Sequence, residues 1–142
     1  PILLGGAAPR TFERVARLAD GWMPWCPTVE AVEKGVAEVK RHLRERGRGV
    51  GGVRFYADFM ASIRRTRAKA EEGVKSQVPS LGETLSEAES RMIAGDPETC
   101  VKRIKRYAEL GVSHIILGFA PLGEELEQIG ILAEEVMPHF TS

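Results

Sequence analysis

Apolar positions change their spacing several times along the 142-residue chain, and each change marks an element. Ile2-Leu3-Leu4 is an unbroken apolar run that stops at Gly5-Gly6, which predicts a strand over residues 2–6. Phe12, Val15, Ala16 and Ala19 then fall at helical spacing, so a helix is expected over 11–19, ended by Asp20-Gly21. Trp22-Met23 reads as a very short buried strand over 22–24. The prolines of Pro24-Trp25-Cys26-Pro27 close it, because proline cannot continue a central ladder. Val29, Val32, Val36, Val39 and Leu43 repeat at alternating steps of three and four behind Thr28, a good N-cap. Glu30, Glu33, Lys34, Glu38, Lys40 and Arg41 form the wet face of that helix. Gly47, Gly49, Gly51 and Gly52 stop it.

A third strand is expected over 53–61, rich in β-formers and partly alternating. Residues 64–94 read as an irregular or helical excursion from the core. Arg65–Gln77 is helix-competent but polar, Pro79-Ser80-Leu81-Gly82 breaks the pattern, and Ser86–Ile93 suits a short helix. Order returns at Gly95-Asp96-Pro97-Glu98, where an N-cap, a proline at the first helical position and an acid in the first turn agree. Val101, Ile104, Tyr107 and Ala108 give that helix its inner face. Val112–Phe119 is almost continuously apolar, the pattern of a parallel strand covered on both faces. A last helix is expected over about 123–136, with Leu122, Leu126, Ile129, Leu132 and Val136 inward. Strands near 2–6, 22–24, 53–61 and 112–118 each precede a helix. The expected fold class is therefore α/β with a parallel sheet, four βα units that make half of a (β/α)8 TIM barrel.

Functional groups on such a sheet gather at the carboxyl ends of the strands. Here those ends are Gly5–Ala8, Met23–Cys26, Ala61–Arg64 and Leu117–Pro121. The first is a glycine-bearing loop running into Pro9, a helix start. Free amide N–H groups and the positive end of the helix dipole would meet there, as a phosphate requires. The alternative is a tight βα turn that binds nothing.

Charge narrows the possibilities further. Lys plus Arg (20) equals Asp plus Glu (20), so no overall field draws nucleic acid or an anionic membrane. The basic runs Lys40–Arg46 and Arg64–Arg67 read as solvated faces. No run approaches the ~20 apolar residues of a membrane span. Cys26 and Cys100 match no metal or CxxC spacing, so two free thiols in a cytoplasm are expected, and no metal site. His42 reads as solvent-exposed, His114 as structural, and His139 lies in the tail. Of Trp22 and Trp25, one should pack the core and the other could line a pocket. Asp20 suits fixing the helix–strand turn. Arg64 and Arg65 read as exposed loop arginines that could reach an anion.

Three blocks carry a resemblance. They are Pro1–Thr11 continuing to Ala19-Asp20-Gly21-Trp22, Gly95-Asp96-Pro97-Glu98 leading to Tyr107 and Gly111-Val112, and Ile115–Phe119 with Ala133–Pro138. Together they resemble the C-terminal half of the bacterial-luciferase-like monooxygenase superfamily, which uses FMN or the deazaflavin coenzyme F420. The resemblance implies the last four βα units of the barrel, part of an oxidoreductase or monooxygenase acting on a small molecule. It implies that Gly5, Gly6, Ala7 and Ala8 approach the cofactor's phosphate-bearing tail, with Pro24 and Trp25 beside it. Relatives often carry Ser or Gly where this chain has Ala7-Ala8, which leaves backbone donors. Catalytic residues are expected in the family's first four strands and stay unassigned here. A chain opening at Pro1 is expected to be an excised half or a truncated frame. The competing reading is a non-catalytic half-barrel, and in both readings open strand edges favour a homo-oligomer, a dimer.

Overall fold

A computed structural model describes residues 1–140. The chain forms two compact units, one of residues 1–58 and 107–116, the other of residues 59–106 and 117 onward.

In the first unit, β1 (Leu3–Leu4) pairs in parallel with β2 (Gly21–Trp22), and β2 with the opening residues of β3 (Arg54–Ile63). The register sets Leu3 opposite Gly21, and Trp22 opposite Phe55. Helix α1 (Pro9–Leu18) buries Phe12, Val15 and Ala16, the expected face. Helix α2 (Val29–Glu45) starts on Thr28, whose hydroxyl accepts from the Ala31 amide at 3.2 Å, and buries Val32, Val36, Val39 and Leu43. Trp22 sits at the centre, 1% exposed, with Phe12 and Phe55 edge-on at 5.6 and 6.5 Å. Its indole lies against Gly35, where α2 has no side chain to displace it. Asp20 fixes the turn as expected: its carboxylate accepts the Ile2 amide at 2.6 Å. Buried Tyr107 donates to the Pro27 carbonyl at 2.8 Å, securing the segment that leaves β2.

In the second unit, the far end of β3 pairs in parallel with a strand the sequence pattern did not show, β4 (Ile93–Gly95). Those residues read as a helix end because three residues are too few to display alternation. Helices α3 (Arg67–Leu81) and α4 (Leu85–Ser90) occupy the expected helical stretch. They are not external to the packing, since Ala70, Val74, Leu81, Ala88 and Met92 are all buried. Pro79 lies inside α3, not at a break. It removes one backbone bond of the last turn, and buried Leu81 holds that turn in place. Helix α5 (Pro97–Glu109) starts on the Asp96 carboxylate, which accepts from Thr99 N–H at 2.8 Å. That bond holds the Asp96 carboxyl below its usual range.

Strand β5 (Val112–Phe119) pairs with β3. The expectation that it is covered on both faces fails: Ser113, His114 and Ile116 are exposed, and Ile115, Leu117 and Phe119 are half-covered. Its apolar sequence calls for a cover that these residues do not supply. His114 stacks on Tyr56, with centroids 4.7 Å apart. His42 is half-buried beside Glu45, not fully exposed, its Nδ1 3.2 Å from that carboxylate. Helix α6 (Glu125–Ile131) also departs from expectation. Leu122 and Leu126 are 87% and 86% exposed, while Gln128 and Ile131 are its buried positions; Val136, beyond α6, is buried as expected.

Cys26 and Cys100 are buried, and neither is in a disulfide. Burial, with Asp96 nearby, pushes the Cys100 thiol up to about 12. Thiolate is the reactive form, so Cys100 is expected to resist a disulfide reagent at pH 8 in the native chain. Labelling should rise at least a hundredfold when urea unfolds the chain, read by mass spectrometry of the Cys100 peptide.

Candidate functional site

The loop after β1 is exposed from Gly5 to Arg10. Gly6 adopts φ +101°, a conformation that disfavours side chains. A Cβ on Gly5 would stand 3.0 Å from the Met23 carbonyl, and one on Gly6 would stand 3.2 Å from the Thr11 hydroxyl. At Gly5 and Gly6 the loop therefore passes close to the end of β2 and to its own helix, and a side chain would be crowded there. One fixed point holds it: the buried Trp22 indole N–H donates to the Gly6 carbonyl at 2.9 Å.

Helix α1 begins differently from its neighbours. Thr28, Thr66, Thr84 and Asp96 each cap a helix through a side-chain oxygen. At α1 the N-cap is Ala8, which has no side-chain acceptor, and Pro9 follows with no N–H. Thr11 N–H turns back to the Ala8 carbonyl at 2.8 Å. With Pro9 lacking an N–H and Thr11 N–H used, the Arg10 amide and the helix dipole are left without a side-chain cap. Ala7 and Ala8 bring no hydroxyl, but Thr11 does, beside Gly6 and half-buried. Sequence reasoning named only loop residues ahead of Pro9 as cofactor contacts and passed over this hydroxyl. Counting from Pro9 puts that threonine in the third helical position, within the first turn.

The end of β2 comes next to this loop, with the Met23 carbonyl against Gly5. Pro24 is buried and Trp25 is 49% exposed, so the two tryptophans divide as expected, Trp22 inward and Trp25 outward. Trp25 forms a parallel bridge with Asp58 of β3, and Asp58 N–H donates to the Pro24 carbonyl at 3.1 Å. Cys26 follows with φ +43°, a left-handed conformation for a non-glycine residue, held by its N–H on the Asp58 carbonyl. Backbone bonds on both sides of Trp25 thus fix the main chain from which its indole projects.

At the end of β3 the sequence reading is corrected. Arg64 is no exposed loop arginine: it is 1% exposed, and its guanidinium binds Glu127 at 2.8 Å and Glu124. Only its Nε lacks a partner. Gln128 completes the cluster, accepting from Ile63 N–H at 2.9 Å and donating to the Ala120 carbonyl at 3.0 Å. The carboxylates lie 60 and 63 positions away in the chain, so no local spacing announces the pair. Arg65 is exposed as expected, paired with Glu135 at 2.9 Å.

The model for luciferase-like monooxygenases matches residues 1–92 of this chain. The chain belongs to that family. A curated relative, the F420-dependent glucose-6-phosphate dehydrogenase of Nakamurella multipartita, is 24% identical, with 99% of this chain and 48% of the relative aligned. The 5,10-methylenetetrahydromethanopterin reductase of Methanopyrus kandleri is 40% identical over 53 residues, 37% of this chain and 15% of the relative. Among solved structures, the coenzyme F420 dependent tetrahydromethanopterin reductase from Methanopyrus kandleri superposes with a TM-score of 0.78 at 19% identity. That superposition covers 99% of this chain and 51% of the other. The α/β fold is that of the family's barrel enzymes, and the chain spans about half the length of such relatives. Among the described residues, no helix is long and apolar enough to cross a membrane.

Proposed function

We propose that this family member is the C-terminal half of a flavin- or deazaflavin-dependent oxidoreductase or monooxygenase, and that this half anchors the cofactor's phosphate. FMN and coenzyme F420 both carry a phosphate on the tail that leads from the ring. The observation that carries the reading is the uncapped start of α1 beneath a loop whose carbonyl is tied to Trp22. The residues fit the group: crowded backbone at Gly5 and Gly6, an Arg10 amide that no side chain caps, and one hydroxyl on Thr11. Gly5, Gly6, Ala7 and Ala8 would hold the phosphate through main-chain N–H groups. Pro24 and the Trp25 indole would flank the tail and exclude water from one side. The cofactor supplies the hydride or oxygen chemistry; these residues bind and orient it. A small-molecule substrate and a reducing cytoplasm, where cysteines stay out of disulfides, complete the reading.

Titration of FMN, coenzyme F420 and phosphate-free riboflavin against tryptophan emission tests it. A phosphate-bearing ligand is expected to bind at least tenfold tighter than riboflavin, and Thr11→Val to narrow that gap severalfold. Equal affinity for FMN and riboflavin, with no response to coenzyme F420, would overturn the phosphate role.

A second reading, in which the chain works by self-association as a homo-oligomer, is favoured by one observation. Large apolar side chains stand in solvent on β5 and around α6.

A further inference from the structure

The peptide group between Gly6 and Ala7 is held from one side only. Its carbonyl accepts the Trp22 indole N–H at 2.9 Å, and that indole is 1% exposed, with Phe12 and Phe55 edge-on against it. Among the described residues the one cis peptide is Ala120-Pro121, so the Gly6–Ala7 unit is trans. In a trans peptide the C=O and the following N–H point in opposite directions within one plane. A carbonyl turned inward onto Trp22 therefore turns the Ala7 N–H outward.

The protein makes no use of the donor so presented. Ala7 is exposed, and among the described residues its N–H meets no acceptor. Just beyond it, the Ala8 carbonyl accepts from Thr11 N–H at 2.8 Å and Pro9 carries no N–H. Packing against Phe12 and Phe55 asks only for an aromatic ring. The indole adds a single donor to that ring, and the donor goes to this peptide.

We propose that Trp22 is a positioning residue for the phosphate: its indole N–H sets the Gly6–Ala7 peptide so that the Ala7 N–H is the donor aimed at the anion. This rests on the phosphate reading above and assigns, within it, which amide is directed and by what. Trp22 itself does not touch the ligand. One peptide group joins the two bonds. An anion on the Ala7 N–H makes the Gly6 carbonyl a stronger acceptor, and the indole bond tightens with it.

Amide and indole proton resonances of the isotope-labelled chain read both bonds at once. Inorganic phosphate is the probe, because it has no ring to shift neighbouring protons. The Ala7 amide proton and the Trp22 Nε1 proton are expected to move downfield together as phosphate is added, and chloride at equal ionic strength should move neither. Trp22→Phe keeps a ring against Phe12 and Phe55 and deletes the donor. It should cut the Ala7 response severalfold and narrow the preference for FMN over riboflavin severalfold, with riboflavin binding as in the parent. A purely structural loss would weaken both flavins alike. An Ala7 proton that ignores phosphate, or an indole proton that stays still while Ala7 moves, would overturn the proposal. So would a Trp22→Phe chain that keeps the parent's preference or loses both flavins equally. If Trp22→Phe does not fold, the paired shifts in the wild-type chain decide. A wild-type chain that prefers FMN without the paired shifts keeps the phosphate role and removes Trp22 from it, so the two failures are told apart.

Discussion

Gly35→Ala is expected to destabilise the chain by about 3 kcal/mol, although alanine in a helix interior is ordinarily favoured over glycine by about 1 kcal/mol. The reason is the Trp22 indole. A Cβ built on Gly35 falls 2.6 Å from Cζ2 of that ring and closer still to Cη2. Trp22 cannot give way, because Phe12 and Phe55 pack against it and its N–H is held by Gly6. Either α2 lifts from the sheet or the indole leaves its bond. The control is Gly130→Ala, in a helix where a Cβ meets nothing within 4 Å. It should stabilise by about 0.5–1 kcal/mol. Urea titration of both variants measures the difference, and a Gly35→Ala chain as stable as the parent would show the packing to be looser than described.

The double change Glu124→Gln and Glu127→Gln is expected to cost about 3 kcal/mol, near the lower end for breaking a buried ion pair. The guanidinium of Arg64 is inaccessible to water, whereas the two carboxylates are half-exposed. Neutralising the acids strands the one charge that cannot rehydrate. Adding Arg64→Met to the double variant removes that stranded charge and should return most of the loss. Recovery in the triple variant distinguishes an uncompensated charge from a simple loss of hydrogen bonds. A double variant within 0.5 kcal/mol of the parent would show that water or relaxation already serves Arg64.

These two sites show where the sequence was readable and where it was not. Periodicity revealed the inner faces of α1 and α2 because a helix repeats its burial every three or four residues, and Phe12, Val15, Val32, Val36 and Leu43 obey that repeat. Gly35 sits within the same helix with no outward sign of its role, which exists only because Trp22 arrives from another strand. Arg64 looked like a loop cation because its partners come from α6 and the residue before it. Strand β4 was too short to alternate. For β5 and α6 the pattern predicted burial that the chain does not provide, since hydrophobicity records what a surface is suited to touch. At the candidate site, Gly5-Gly6 and the Pro9 start were legible as local backbone chemistry. The Thr11 hydroxyl and the left-handed Cys26 needed coordinates.

The bond from the Trp22 indole to the Gly6 carbonyl has a thermodynamic consequence for any anion that lodges there. A loop already tethered to a buried ring has surrendered part of its freedom at folding, so less ordering remains to oppose capture. Recognition would then be set by the fit of oxygens to fixed amides, and a ligand a few tenths of an ångström too large would find a loop unable to yield.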